Sequence, residues 1–190
     1  QLYSCDYVIY SKGCFMRFFY LVTFLVTAFN LYGQSNTYTM DLSKNEWDII
    51  NDDVMGGVST GKFFFTDSCL TFSGKLSSKF NGGFSSMRTK ERISLEGSTK
   101  ISVKIMGDGN TYQLRIKDSY YNYYSYAVEF KTKGVEEQLE FDLSDFKPIF
   151  RGTYLEMKNF DKNKIDELTF MIVSKNEPDF KLQIFDIYFN

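Results

Sequence analysis

No histidine occurs in the 190 residues, which removes histidine zinc sites, Ser-His-Asp triads and Cys-His dyads from consideration. Catalysis, if any, is left to carboxylates, lysine, tyrosine and serine. Cysteine is scarce too. Of three, Cys5 and Cys14 stand near the start, so Cys69 is alone in the rest of the chain and has no partner there for an internal disulfide. Within Ser68-Cys69-Leu70-Thr71-Phe72 it alternates like a strand residue and reads as a small buried hydrophobe rather than a nucleophile. The two prolines, Pro148 and Pro178, are expected between strands, where a missing N–H breaks no ladder. A basic surplus is also lacking: 22 Lys and Arg against 24 Asp and Glu leave a net charge of -2, and without a basic cluster nucleic acid is not an expected partner. No sustained helical period appears beyond residue 34; Asp161 to Glu167 alone has room for a short helical turn.

What is abundant is hydrophobic and aromatic side chain, 43% and 18% of the residues, enough for one substantial core. Short runs with period two, broken by turn residues, predict strands over Lys62 to Phe65, Cys69 to Ser73, Phe84 to Arg88, Thr99 to Met106, Thr111 to Lys117, Tyr123 to Phe130, Glu137 to Phe141, Glu167 to Ser174 and Phe180 to Phe189. Ile101, Val103 and Ile105 alternate with Lys100, Ser102 and Lys104, and Tyr112, Leu114 and Ile116 with Gln113, Arg115 and Lys117, so each strand keeps one wet face. The expected class is all-β, an antiparallel β-sandwich, in one domain over residues 34–190. Ahead of it, residues 1–33 read as a leader. Met16-Arg17 precedes the apolar run Phe18 to Phe29, the shape of a signal peptide started at Met16. The run is shorter than the roughly 20 residues of a spanning helix. Leu31 stands where a cleavage site prefers a small residue, so a membrane anchor through Phe18 to Tyr32 stays as the alternative. Either way the protein is expected to be exported, to the periplasm or cell envelope, with membrane contact only through an uncleaved leader.

Two glycine-paired stretches organise the domain, Asn51-Asp52-Asp53-Val54-Met55-Gly56-Gly57-Val58-Ser59 and Asn81-Gly82-Gly83-Phe84-Ser85-Ser86-Met87-Arg88. Paired glycines admit positive φ and close approach of another segment. In the first loop Asp52 and Asp53 present charge at a sheet edge. Arg88 can fork onto a carboxylate, either of a ligand or of Asp52 or Asp53, and the internal pair would fasten the two loops together. Gly56 to Lys62 has the bare spacing of a phosphate loop, but Phe63 replaces the hydroxyl residue and a strand follows instead of a helix, so it reads as a turn.

Trp47, the Asn51 to Ser59 stretch, Gly82 to Arg88, Gly107-Asp108-Gly109 with Tyr112, and Phe150-Arg151-Gly152 together resemble the complex I intermediate-associated protein 30 family over about Trp47 to Ile187. The resemblance implies a galactose-binding-like jelly roll. In the mitochondrial members it implies a non-catalytic role in assembling respiratory NADH dehydrogenase. The leader is neither Arg-rich nor amphipathic, unlike a mitochondrial transit peptide, so the partner does not transfer with the family.

Three further features complete the candidate site. Gly107-Asp108-Gly109-Asn110 joins two strands and has the composition of a tight hairpin; Asp108 at its tip could join Asp52 or Asp53 around a cation or a sugar hydroxyl. These aspartates are not spaced as a compact calcium loop, so no cofactor or metal is expected. In Tyr120-Tyr121-Asn122-Tyr123-Tyr124-Ser125-Tyr126, placing Tyr124, Tyr126, Val128 and Phe130 inward leaves Tyr121 and Tyr123 outward, to stack on a sugar or anchor a protein. The candidate binding residues are thus Asp52, Asp53, Met55, Arg88, Asp108, Tyr121 and Tyr123, carried on loops shaped by Gly56, Gly57, Gly82, Gly83, Gly107 and Gly109. The first reading is a non-catalytic module of protein-complex assembly or protein interaction, and the alternative an exported carbohydrate-binding module. A glycosidase would need an acid and a base flanking one cleft, and no such pair is marked out.

Overall fold

The computed structural model describes residues 37–190, which fall within a compact unit spanning Asn36–Asn190. The leader reading of residues 1–33 lies outside the described residues. In chain order the strands are β1 (Tyr38–Thr39), β2 (Trp47–Asn51), β3 (Thr60–Phe65), β4 (Leu70–Lys75), β5 (Phe84–Thr89), β6 (Ile93–Ser94), β7 (Lys100–Met106) and β8 (Thr111–Lys117). They continue as β9 (Ser125–Lys131), β10 (Glu136–Asp142), β11 (Lys147–Phe150), β12 (Thr153–Tyr154), β13 (Lys164–Ile165), β14 (Glu167–Val173) and β15 (Asp179–Phe189). One sheet has the order β10-β7-β15-β4-β3, with β1 also on β15; the other runs β12-β11-β9-β8-β14-β5-β2. Every pairing in them is antiparallel. The fold is an all-β sandwich of the jelly-roll kind.

Alternation builds it. Ile101, Val103 and Ile105 of β7 and Leu70 and Phe72 of β4 bury against Tyr112, Leu114 and Ile116 of β8 and Leu168, Phe170 and Ile172 of β14, all within one core. On β15 the buried set runs Phe180, Leu182, Ile184 and then Ile187, Phe189. The switch from even to odd numbers falls where the register on β7 shifts between Ile184 and Asp186. One extra residue in a bulge flips the alternation, so both halves of a long strand keep their apolar residues inward.

Each expected strand run lies on a strand, with ends within two residues. Four local expectations are corrected. Asp161 to Glu167 holds no helical turn: Lys164–Ile165 pairs with Ser94 and Ile93, and Ile165 is fully buried. Pro148 lies inside β11, not between strands; β11 is covered on its far side only by the two-residue β12, a margin where a lost donor is tolerated. Gly107 to Asn110 is no hairpin, because β7 and β8 belong to different sheets and the turn carries the chain across the sandwich. Trp47–Asn51, outside the expected runs, is an edge strand held by β5.

Candidate functional site: a cleft on the seven-stranded sheet

The two glycine loops do meet, and Asp52 joins them. It opens the short 3-10 turn Asp52–Met55 and is fully buried. Its carboxylate accepts from Ser59 N (2.9 Å), Ser59 Oγ (2.5 Å), Gly83 N (2.6 Å) and Phe84 N (3.4 Å). Ser59 Oγ in turn accepts from Ser77 N at 2.9 Å. Burial by itself pushes the Asp52 carboxyl up, but these hydrogen bonds outweigh it and hold the group below the ordinary carboxylate range. A Cβ on Gly57 or on Gly82 would collide with this carboxylate. One glycine of each pair, Gly57 and Gly82, is required by the buried acid lying between them, while Gly56 and Gly83 take positive φ, 85° and 117°.

Asp52 therefore does not present charge at the sheet edge, and the fastening expected of Arg88 with Asp52 is made by Asp52 with backbone N–H groups. Arg88 points elsewhere, across the outer face of the seven-stranded sheet. There β14 lies between β5 and β8, with Thr169 opposite both Arg88 and Arg115, and Glu167 opposite Lys117. Glu167, almost buried, faces Arg88 Nη1 at 3.9 Å and Lys117 Nζ at 3.8 Å. Arg88 Nε is shielded from solvent and has no hydrogen-bond partner. Arg115 is oriented by Gln113, whose Oε1 accepts from its Nε at 2.9 Å and its Nη2 at 2.5 Å. Burial lowers the Arg115 pKa, with Tyr154 and Glu129 opposing, and a guanidinium remains charged throughout.

These side chains floor a cleft of about 430 Å³. One end is closed by Gly82, Gly83 and Phe84, the segment Asp52 holds, with Lys175 Nζ donating to Gly82 O at 2.7 Å. Along the other rim stand Tyr123, Phe150 and Arg151. Tyr123 is 64% exposed and meets Phe150 edge to face, ring centroids 5.1 Å apart. The Arg151 guanidinium lies 5.2 Å from the Phe150 ring centre, and its backbone is in the left-handed region, with φ 48°.

Of the expected site residues, Arg88 and Tyr123 line this cleft, and Gly82 and Gly83 with them. Asp52 stands behind it as a support. Asp53 is exposed in the same turn, and the side chain of Met55 lies outside the described residues. Tyr121, at 97% exposure, is outward as expected but is not part of the cleft lining. Asp108 does not combine with Asp52, since each serves its own internal donors: Asp108 accepts from Lys181 N (2.6 Å), Asn110 N (3.0 Å) and the Tyr112 hydroxyl (3.1 Å). Gly107 and Gly109 shape that crossing, with Gly109 N donating to Thr132 Oγ1 at 2.9 Å. Among the described residues no group of three or more Asp, Glu or Cys is placed to hold a metal ion. Sequence reading missed Glu167, Arg115, Lys117 and Phe150 as site residues. The first three sat in plain view on the wet faces of alternating strands; only strand order puts them side by side.

The architecture is shared with solved carbohydrate-binding modules. The Family 11 carbohydrate-binding module from Clostridium thermocellum, solved with a β-1,3-1,4-mixed-linked tetrasaccharide, superposes with a TM-score of 0.60 at 14% identity, over 80% of this chain and 94% of that one. The Family 11 module of the cellulosomal cellulase Lic26A-Cel5E of Clostridium thermocellum gives 0.60 at 13%, over 83% and 95%. At these identities the likeness is one of fold. The family model of Complex I intermediate-associated protein 30 (CIA30) matches residues 33–184, and the chain belongs to that family. No curated protein matches.

Proposed function

We propose that this protein is an exported, non-catalytic binding module that holds a saccharide in the cleft of the seven-stranded sheet. The observation that carries this reading is the pairing, within one cleft, of an aromatic rim, Tyr123 with Phe150, and a hydrogen-bonding floor, Arg88, Arg115, Lys117 and Glu167. Aromatic faces cover the apolar face of a sugar ring while charged and amide groups answer its hydroxyls. Glu167 is the one carboxylate in the cleft lining among the described residues, which supports binding rather than hydrolysis by an acid and base pair. The leader reading, which sends the chain beyond the cytoplasm, supports a glycan as the ligand it would meet.

Family membership favours a second reading, a part in the assembly of a protein complex. Its structural support is Phe80, 70% exposed in the loop that leads into Gly82 and held with φ 55°, an apolar group a protein partner would cover. A glycan array with the full chain separates the two. Under the saccharide reading, defined oligosaccharides are retained, Tyr123→Ala or Phe150→Ala abolishes retention and Tyr121→Ala leaves it unchanged. Silence across the array from protein with a cooperative unfolding transition overturns that reading in favour of a protein partner.

A further inference from the structure

The whole chain carries more acidic than basic groups, 24 against 22, yet the cleft reverses that balance. Arg88, Arg115, Lys117, Arg151 and Lys175 line it, against Glu167. A cleft walled by one sign of charge concentrates ligands of the opposite sign. Glu167 is too far from its neighbours to saturate them: Arg88 Nη1 and Lys117 Nζ stand 3.9 and 3.8 Å away, beyond ordinary hydrogen-bond length. Arg88 Nε is shielded and without a partner, while the side chain lines the cleft and is 30% exposed, so its guanidinium fork keeps bonding capacity. A buried donor left unmet is unfavourable, and a planar carboxylate is the group that meets such a fork with two parallel bonds. Arg115, its guanidinium held by Gln113 on the far side of Thr169, supplies a second fixed positive charge.

We infer that the saccharide taken by this cleft is acidic, an oligosaccharide of uronic acid whose carboxylate pairs with Arg88 while a ring rests against Tyr123 and Phe150. The inference rests on the saccharide reading above and adds the charge of the ligand. Lys117 and Arg115 then face the same anion, Glu167 accepts from a sugar hydroxyl, and Arg151 guards the rim.

The test is titration calorimetry of the full chain against oligogalacturonate and alginate oligomers, their methyl esters, a sulfated galactan oligomer and a neutral mixed-linked β-glucan tetrasaccharide, at low and high salt. At least one uronate is expected to bind, to lose affinity with added salt, and to bind at least about tenfold more tightly than its ester, in which the rings remain and the charge is gone. Arg88→Gln should weaken the acid by about ten- to a hundredfold and so erase most of its margin over the ester. Arg88→Lys, which keeps the charge without the fork, should lie between, and exposed Arg151→Gln should cost a few-fold without risk to the fold. If an ester or the β-glucan binds as tightly as the acid, the acidic assignment fails while the saccharide reading stands; if the sulfated oligomer alone binds, the uronate assignment fails. If no saccharide binds to protein that unfolds cooperatively, both fail.

Discussion

Asp52 and Glu167 are two buried carboxylates of the same domain with opposite surroundings. Asp52 receives four hydrogen-bond donors, three of them backbone N–H groups from two loops. Glu167 receives no such saturation; two cations stand just out of hydrogen-bond reach, on a sheet face open to a cleft. A saturated buried acid is a structural fastener, because nothing is left for a ligand to satisfy. Glu167 stands beyond hydrogen-bond length of its cations, and Lys117 Nζ donates instead to Asn122 O at 3.3 Å, so its carboxylate is not saturated from within. The two are also linked, since Asp52 fixes Gly83 and Phe84, which close one end of the cleft whose floor carries Glu167.

The contrast yields its largest effect at Asp52. Asp52→Ala leaves Gly83 N and the Ser59 groups without their acceptor inside the protein, and should cost about 3 kcal/mol or more of unfolding free energy, read from urea denaturation. Retention of wild-type stability would show that the two loops are not tied through this carboxylate. Gly82→Ala, which drives a Cβ into the same carboxylate, should cost about 1–3 kcal/mol.

Acid titration comes next. Because the native Asp52 carboxyl is held below its ordinary value of 3.8, its contribution is complete above that pH and is lost as pH falls through the native value. The wild-type protein should lose stability on acidification past about pH 4. Asp52→Asn should show a shallower acid dependence, and an unchanged slope would remove Asp52 as its source.

Glu167→Gln should behave differently, at about 1 kcal/mol or less in stability, since Arg88 and Lys117 keep access to water. It should tighten binding of an acidic saccharide, because the amide oxygen still accepts from the sugar hydroxyl while the one competing negative charge is gone; weaker binding would show that the carboxylate's bond to the hydroxyl outweighs its repulsion. The smallest effect belongs to Tyr121→Ala, within about 0.5 kcal/mol of wild type and silent in binding. A Tyr121 effect on binding as large as that of Tyr123→Ala would move the site outward from the cleft.

Period-two alternation, turn composition and the absence of helical period were enough to place nine of the fifteen strands among the described residues, because a side chain's face in a sheet is fixed by its parity; the other six are five residues or shorter. The inward set Tyr112, Leu114 and Ile116 and the outward set Gln113, Arg115 and Lys117 were both readable that way. So was the conjunction of the two glycine loops, since paired glycines announce a close approach. What they approach was not readable: that Asp52 rather than Arg88 ties them depends on which side chain the 3-10 turn points inward.

The cleft itself was decided by tertiary structure. Residue 88, the pair 115 and 117, and residue 167 are distant along the chain and become neighbours because β5, β14 and β8 lie side by side, an order no local pattern encodes. The same cause turned Gly107 to Asn110 from a hairpin into a crossing between sheets, since alternation says which face a residue takes and nothing of which sheet its strand joins. The sequence by itself determined the class of fold, the buried set and the meeting of the loops, all of which follow from local chemistry. Strand order, and with it the site, came from the way two sheets bury one core.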